Sequence, residues 1–214
     1  MKPALILTNI QNDYFEGGNF PIKSSSDIIP LINHIRSTYD CKFQSVFLTQ
    51  NTFPPTHISF KTSPYAKEEN LPFDQITLDT KGKFPEHCVL NTQGANFEPE
   101  MLIKGTENII RIGEDKFKAA MSGFANSSLD KMLKAQGINT VFIGGLSFDF
   151  FVGLTALDSK NAGYETYVIR DICKSIGEKS EEAMRKNLEI NNIKIITLKE
   201  LEQIMKDVPK IEDN

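Results

Sequence analysis

Cysteine is scarce in this 214-residue chain: Cys41, Cys88 and Cys173 are the only three, and they form no Cys-x-x-Cys pair. That excludes a disulfide framework and leaves reduced, partly buried thiols as the expectation for each. Basic clusters are lacking too. Lysine and arginine total 24 against 28 acidic residues, giving a formal charge of −4, so the basic stripe of a nucleic-acid binder is missing. Long apolar runs are also absent. The amino-terminal run Ala4–Leu7 holds four residues, too few for a signal core or a membrane span. A cytoplasmic protein with neither nucleic-acid nor membrane partners is expected.

What is present is ordinary globular composition, 40% hydrophobic and 24% charged, enough for one domain with a proper core. Short apolar runs alternate with helical patterns. Strands are expected at Ala4–Leu7, Ser45–Thr49, Asn108–Arg111, Thr140–Gly144, Glu165–Ile169 and Ile193–Thr197. Helices are expected at Asp27–Tyr39, Ser128–Gln136, Phe150–Ala162, Glu178–Asn191 and Leu198–Lys206. Strand–helix alternation implies parallel βαβ units. The expectation is therefore α/β: one domain over residues 1–214, a three-layer α/β/α arrangement with a mainly parallel sheet. In such sheets ligands bind beyond the carboxyl ends of the strands. A long irregular stretch from about 50 to 105, rich in Pro, Thr, Asn and Gly, is expected to form the pocket, because loops this long inside a compact domain usually carry function.

Four stretches carry a resemblance. Thr8-Asn9-Ile10-Gln11-Asn12-Asp13-Tyr14-Phe15-Glu16-Gly17-Gly18 is similar to D-x-Q-N-D-F-x-x-G-G. Thr49 to Phe60, with Asn51, Phe53 and His57, is similar to T-Q-D-x-H-P-x-x-H-x-S-F. Phe84-Pro85-Glu86-His87-Cys88, followed by Thr92-Gln93-Gly94-Ala95, resembles W-P-x-H-C and T-x-G-A. Gly145-Leu146-Ser147-Phe148-Asp149-Phe150-Phe151-Val152 resembles G-x-A-T-D-x-C-V. Between them Arg111-Ile112-Gly113 precedes Ser122-Gly123-Phe124 at the spacing of K-G before S-A-F. Together they resemble the nicotinamidase/isochorismatase-like cysteine hydrolases, over roughly residues 3 to 200.

The resemblance implies the isochorismatase-like fold and hydrolysis of an amide or related bond through a covalent cysteine intermediate. A thiol needs a neighbouring base or positive field to supply thiolate. In the family an Asp takes the proton, a Lys tunes both charges, the Cys attacks, and two backbone N–H groups hold the oxyanion. The matching positions here hold Asn9, Ile112 and Phe151. An amide is no base near neutral pH, isoleucine carries no charge, and phenylalanine cannot attack. Loss of the nucleophile alone removes most of the rate of such a unit. Ile112 beside Phe151 is expected to close the pocket with an apolar patch, while Asn9 keeps hydrogen bonds without charge. Two histories fit these substitutions: a site reworked for another use, or drift after activity was lost.

The family's pyridine-binding members hold a divalent metal (zinc, manganese or iron) with Asp and three His. Those positions map onto Asn51, Phe53, His57 and His87. Two imidazoles and a neutral amide make a weak site, and ordinary hydrogen bonds for His57 and His87 are the expectation. Tyr14 and Phe84 stand where the family sandwiches an aromatic substrate, with Ser147 and Phe151 at the oxyanion turn, and the family pattern makes the Leu146–Ser147 peptide cis. Gln11 and Asp13 are expected to order the loop after the first strand. A Cys88–His87 couple is the rescue worth testing. Lys116, Lys118 and helical His34 are expected to be solvated. The leading expectation is a pseudoenzyme that binds a small aromatic molecule or a protein partner, in a homo-oligomer or with an active relative. The alternatives are a hydrolase of small amides using a different residue set, and a purely structural module with a filled pocket.

Overall fold

The computed structural model describes residues 1–65 and 84–211. The expected pocket loop of about 50–105 is therefore seen only in part; its residues 66–83 lie outside the described residues.

The central run Pro-Ala-Leu-Ile-Leu-Thr forms β1 (Pro3–Thr8), buried along its whole length. A strand covered on both faces reads as a continuous apolar run, as in parallel sheets. Around it the chain lays down α1 (Ile28–Tyr39), β2 (Ser45–Asn51), β3 (Asn108–Ile112), α2 (Leu129–Ala135), β4 (Thr140–Leu146), α3 (Gly153–Asn161), β5 (Glu165–Lys174), α4 (Glu178–Ile190), β6 (Lys194–Ile196) and α5 (Leu198–Lys206). The strands form one 6-stranded sheet in the order β3-β2-β1-β4-β5-β6, and each neighbouring pair is parallel.

Alternate side chains of β1 feed two cores, as the pleat requires. Leu5 and Leu7 join α1 (Ile28, Ile32, Ile35) and α5 (Leu201, Met205). Ala4 and Ile6 join α2 (Leu129, Leu133), α3 (Ala156) and α4 (Met184, Leu188) on the other face. This is the three-layer α/β/α arrangement expected from the strand–helix alternation.

Element ends differ from expectation for local reasons. The last strand stops at Ile196, because Thr197 caps α5: its Oγ1 accepts from Glu200 N at 3.2 Å while Glu200 Oε2 accepts from Thr197 N at 2.7 Å, a reciprocal capping box. β5 runs on to Lys174, five residues beyond expectation, and pairs with β4 across a register shift between Ile143 and Gly145. The first helix is preceded by a tight turn at Ser25–Asp27 and starts at Ile28. The thiols divide: Cys88 and Cys173 are buried, whereas Cys41 is exposed rather than partly buried.

Candidate functional site

The strand order reverses at β1. The chain moves outward from β1 through β2 to β3, then returns to place β4 on the other flank. Such a switch point opens a crevice at the carboxyl ends of the strands, and here those ends are Asn9 and Leu146–Ser147. Asn9 turns the chain out of β1 with a left-handed φ of 52°, which asparagine tolerates better than most residues. Its N–H donates to Thr49 O at 3.1 Å, and its Oδ1 accepts from Thr49 Oγ1 at 2.8 Å. Asn9 Nδ2, fully buried, has no partner among the described residues.

Gln11 and Asp13 order the loops around this point, as expected. Gln11 Nε2 donates to Asn51 O and Ala95 O, both at 2.8 Å, and Oε1 accepts from Asn51 N at 2.8 Å. Asp13 Oδ2 accepts from Cys88 N at 2.6 Å and Oδ1 from Asn19 N at 3.0 Å. The Asp13 carboxyl lies so close to Gly94 that a Cβ there would stand 2.1 Å from Oδ2, so only glycine fits.

On the β4 side, Gly145 at φ +125° brings the backbone against Thr8; a Cβ would sit 2.2 Å from the Thr8 carbonyl oxygen. The Leu146–Ser147 peptide is cis. The helix expected from Phe150 begins instead as a π-turn over Phe148–Val152, and the α-helix starts at Gly153. The Ser147 carbonyl accepts from Phe150 N at 3.2 Å and Val152 N at 3.0 Å, widening the first turn; π-turns of this kind recur at functional sites. Ser147 Oγ is buried without a partner among the described residues. Phe151 is 2% exposed, its ring edge-on to Tyr14 with centroids 6.2 Å apart.

Ile112 does not join Phe151. It ends β3 on the opposite face of the sheet and packs with Ile110, Phe47 and Ala120, whereas Phe151 belongs with Tyr14, Phe53 and Phe84. The joint apolar patch expected of the pair is thus not formed, because the pleat sends Ile110 and Ile112 towards the α2–α4 layer.

His87 sits in an aromatic box. Tyr14, Phe20, Phe53, Phe60 and Phe84 have ring centroids 5.1–5.9 Å from its own. Its Nδ1 meets the Pro85 carbonyl at 2.8 Å. A carbonyl only accepts, so the neutral ring carries its proton on Nδ1 and offers a bare lone pair at Nε2. That atom is buried without a partner among the described residues, so the ordinary hydrogen bonding expected of His87 is met at one nitrogen only. Burial holds the ring neutral, pushing its pKa down to about 4. His57 spends both nitrogens: Nδ1 accepts from Ser59 N at 3.2 Å and Nε2 donates to Lys118 O at 3.1 Å. Burial lowers its pKa as well. Asn51 Nδ2 donates to Tyr14 Oη at 2.7 Å, and Oδ1 has no partner among the described residues.

These residues do not fit a divalent metal. Phe53 lies against both imidazoles, 4.5 Å from His57 and 5.2 Å from His87. Of the donor atoms at these four positions, only His87 Nε2 and Asn51 Oδ1 are unengaged among the described residues, short of the three strong ligands a catalytic zinc takes. Among the described residues there is no group of three or more His, Cys, Asp or Glu placed to hold one.

The Cys88–His87 couple is not assembled either. Cys88 Sγ points to Gly94 O at 3.9 Å, while the His87 nitrogen that is hydrogen-bonded serves Pro85. Burial, and then the nearby Asp13 carboxylate, push the Cys88 thiol well above its usual pKa, which suppresses the thiolate. Lys118 is 62% exposed beside Asp115, and Lys116 lies over the Tyr65 and Phe117 rings. His34 is exposed and reaches Glu202 at 3.1 Å.

Three contributors went unread in the sequence. Phe20 touches both Tyr14 and Phe84 (6.0 and 5.5 Å), yet follows two glycines in a stretch without periodicity. Phe60 stood inside a quoted motif but carried no expected role. Asp149 accepts from Ile176 N at 2.9 Å, Gly177 N at 3.1 Å and Ser180 Oγ at 2.6 Å, tying the start of α4 to the π-turn.

The fold and the site at its switch point define an α/β protein of the isochorismatase-like hydrolase class. The isochorismatase domain model matches residues 3–200, and the chain belongs to that family. The nicotinamidase of Acinetobacter baylyi is 37% identical over 181 residues, covering 81% of each chain. Among solved structures, the nicotinamidase/pyrazinamidase of Acinetobacter baumanii is 32% identical with a TM-score of 0.81, covering 94% of this chain and 98% of that one. The pyrazinamidase of Pyrococcus horikoshii, solved in complex with zinc, is 31% identical with a TM-score of 0.78, covering 92% and 99%. A metal is thus held by a structural relative, whereas the donor set described here does not fit one. No helix among the described residues is long and apolar enough to cross a membrane.

Proposed function

We propose that this protein is a member of the nicotinamidase/isochorismatase family that binds a small aromatic molecule without hydrolysing it. Phe151 carries the reading. It stands where the resemblance puts the attacking cysteine, buried against Tyr14, and its ring offers no electron pair for acyl transfer. Asn9 at the base position is held by Thr49 through its amide oxygen and cannot take a proton near neutral pH. Ile112 at the lysine position lies in the apolar layer on the other face of the sheet. Tyr14, Phe84, Ser147 and Phe151 would line the ligand, and residues 1–214 are taken as one domain. The reading includes a cytoplasmic location and a homo-oligomer, or an assembly with an active relative, which light scattering of the purified protein would resolve.

A second reading is favoured by the 37% identity to a nicotinamidase: hydrolysis of a small amide by a different residue set. Ammonia release from nicotinamide, with and without zinc, manganese or iron, separates the two. No release while an active relative turns over supports binding without turnover. Metal-stimulated release that a His87→Ala/Cys88→Ala double variant abolishes overturns it.

A further inference from the structure

Among the described residues, few side-chain nitrogen and oxygen atoms are buried without a partner, and four of them gather in one region. Asn9, Asn51 and Ser147 stand at the carboxyl ends of the adjacent strands β1, β2 and β4. His87 joins them through Tyr14, whose ring meets the imidazole at 5.4 Å and whose hydroxyl takes the Asn51 amide N–H at 2.7 Å. All four side chains belong to residues no more than 1% exposed. A buried polar group without a partner is costly enough that folded proteins supply one.

The hydrogen-bonding sense of each atom follows from the partner its neighbour already has. His87 Nδ1 faces a carbonyl, so Nε2 accepts. Asn51 Nδ2 is committed to Tyr14, so Oδ1 accepts. Asn9 Oδ1 is committed to Thr49, so Nδ2 donates. Ser147 Oγ can donate as well. None of the four is charged, His57 has no nitrogen left, and the buried carboxylates of the region are occupied, Asp13 by Cys88 N and Asn19 N and Asp149 by Ile176 N, Gly177 N and Ser180 Oγ.

We propose that the site recognises an uncharged, flat ligand with opposite polarity at its two ends. A ring N–H or hydroxyl is given to His87 Nε2 and Asn51 Oδ1, and a carbonyl is received by Asn9 Nδ2 and Ser147 Oγ. This rests on the reading of the protein as a small-molecule binder. A ring presenting only a lone pair to the His87–Asn51 end sets acceptor against acceptor. A carboxylate at the other end is stripped of water with no cation to meet it. Recognition by buried polar groups discriminates sharply, because the ligand lacking the matching group leaves them unpaired.

Calorimetric titration of the purified protein with 4-hydroxybenzamide, benzamide, nicotinamide and 4-hydroxybenzoate tests it. The expected order is 4-hydroxybenzamide about tenfold or more tighter than benzamide, equivalent to about 1.4 kcal/mol, with nicotinamide no better than benzamide and the carboxylate weakest. His87→Leu and Asn51→Leu, each checked for folding by circular dichroism, are expected to abolish the preference for 4-hydroxybenzamide over benzamide, read as the ratio of the two dissociation constants. Equal binding of the two amides, preference for nicotinamide or the carboxylate, zinc-dependent tightening, or no binding by any of the four at millimolar concentration overturns the proposal. Failure of the parent reading looks different: ammonia release from an amide removes the claim of binding without turnover and leaves the affinity order to stand.

Discussion

The Tyr14 hydroxyl accepts the Asn51 side-chain N–H at 2.7 Å in a site closed to solvent on both sides of the bond. The second polar atom of that amide, Oδ1, has no partner among the described residues, so the bond to Tyr14 is all that holds the Asn51 amide. Tyr14→Phe is expected to cost about 1–3 kcal/mol, the penalty for leaving a buried polar group unpaired. Tyr14→Phe combined with Asn51→Leu is expected to cost less than the sum of the single changes. Urea unfolding of the four proteins of the cycle reads the coupling directly; strict additivity would show that the bond contributes nothing.

Restoring the nucleophile alone is not expected to restore chemistry. Phe151→Cys puts a thiol at the turn, but Asn9 supplies no base and the surrounding aromatics supply no positive charge. Groups that act as a unit fail together. The variant is expected to release no ammonia from nicotinamide above background. It is also expected to lose about 2–4 kcal/mol of stability, because a ring is removed from a closed site. Measurable turnover by the single variant would show that another residue already acts as the base.

Acid should weaken the fold through His87. The unfolded chain takes up a proton near the ordinary histidine pKa of 6.5, while the folded chain resists it until about pH 4. Between those values the unfolded state binds more protons, so stability falls as pH falls, by an amount on the order of 3 kcal/mol across the window; above pH 6.5 the group contributes no pH dependence. His57, also lowered by burial, acts in the same direction. The slope of unfolding free energy between pH 6.5 and 4 should be shallower in His87→Leu than in the natural protein. Equal slopes would mean that the imidazole is hydrated in the folded state.

Asp149 holds two backbone N–H groups and the Ser180 hydroxyl at the start of α4. Asp149→Ala is expected to cost about 2–4 kcal/mol, since charge-assisted bonds to a buried carboxylate are stronger than neutral ones and their donors are left orphaned. Hydrogen exchange should quicken first at Ile176 and Gly177; unchanged protection there would remove the anchoring role.

Dialysis against a chelator is expected to leave the melting temperature unchanged, and added zinc not to raise it. A ligand present at 100 times its dissociation constant would add about 2.7 kcal/mol, which a thermal scan resolves. A clear rise with zinc would show that Phe53 yields its place between the two imidazoles.

Much of the fold was legible because the signals were local. The unbroken apolar run at Ala4–Leu7 announced a strand covered on both faces, and the isoleucines of α1 announced one buried helical stripe. What escaped depended on distance. Thr197 has strand-like neighbours, and its work as a cap shows only once Glu200 folds back on it. Ile112 and Phe151 both read as apolar plugs, yet which side of the sheet each serves is set by strand register. For the candidate site, motif spacing singled out Asn9, Asn51, His87 and Ser147. It could not show which atom of each is already spent, because Thr49 and Tyr14 reach Asn9 and Asn51 from other segments and the Pro85 carbonyl meets His87 only through the local turn of the backbone. Phe20 was invisible for the same reason: only the closed loop brings it against Tyr14 and Phe84.

The central position of β1 also bears on the order in which the protein is made. Its pairing with β2 joins Ala4 to Ser45 and Thr8 to Thr49, partners that lie 41 residues apart along the chain and are made in quick succession. Its other flank waits for β4, where Pro3 meets Thr140 and Thr8 meets Gly145. Synthesis proceeds at roughly 5–20 residues per second, so one edge of β1 stays unsatisfied for about 5–20 seconds after the first pairing becomes available. During that interval the Asn9 half of the crevice can exist without its Ser147 half. An open apolar strand edge is an invitation to a neighbouring chain, so the nascent protein is most exposed to mispairing and to chaperone capture in that window.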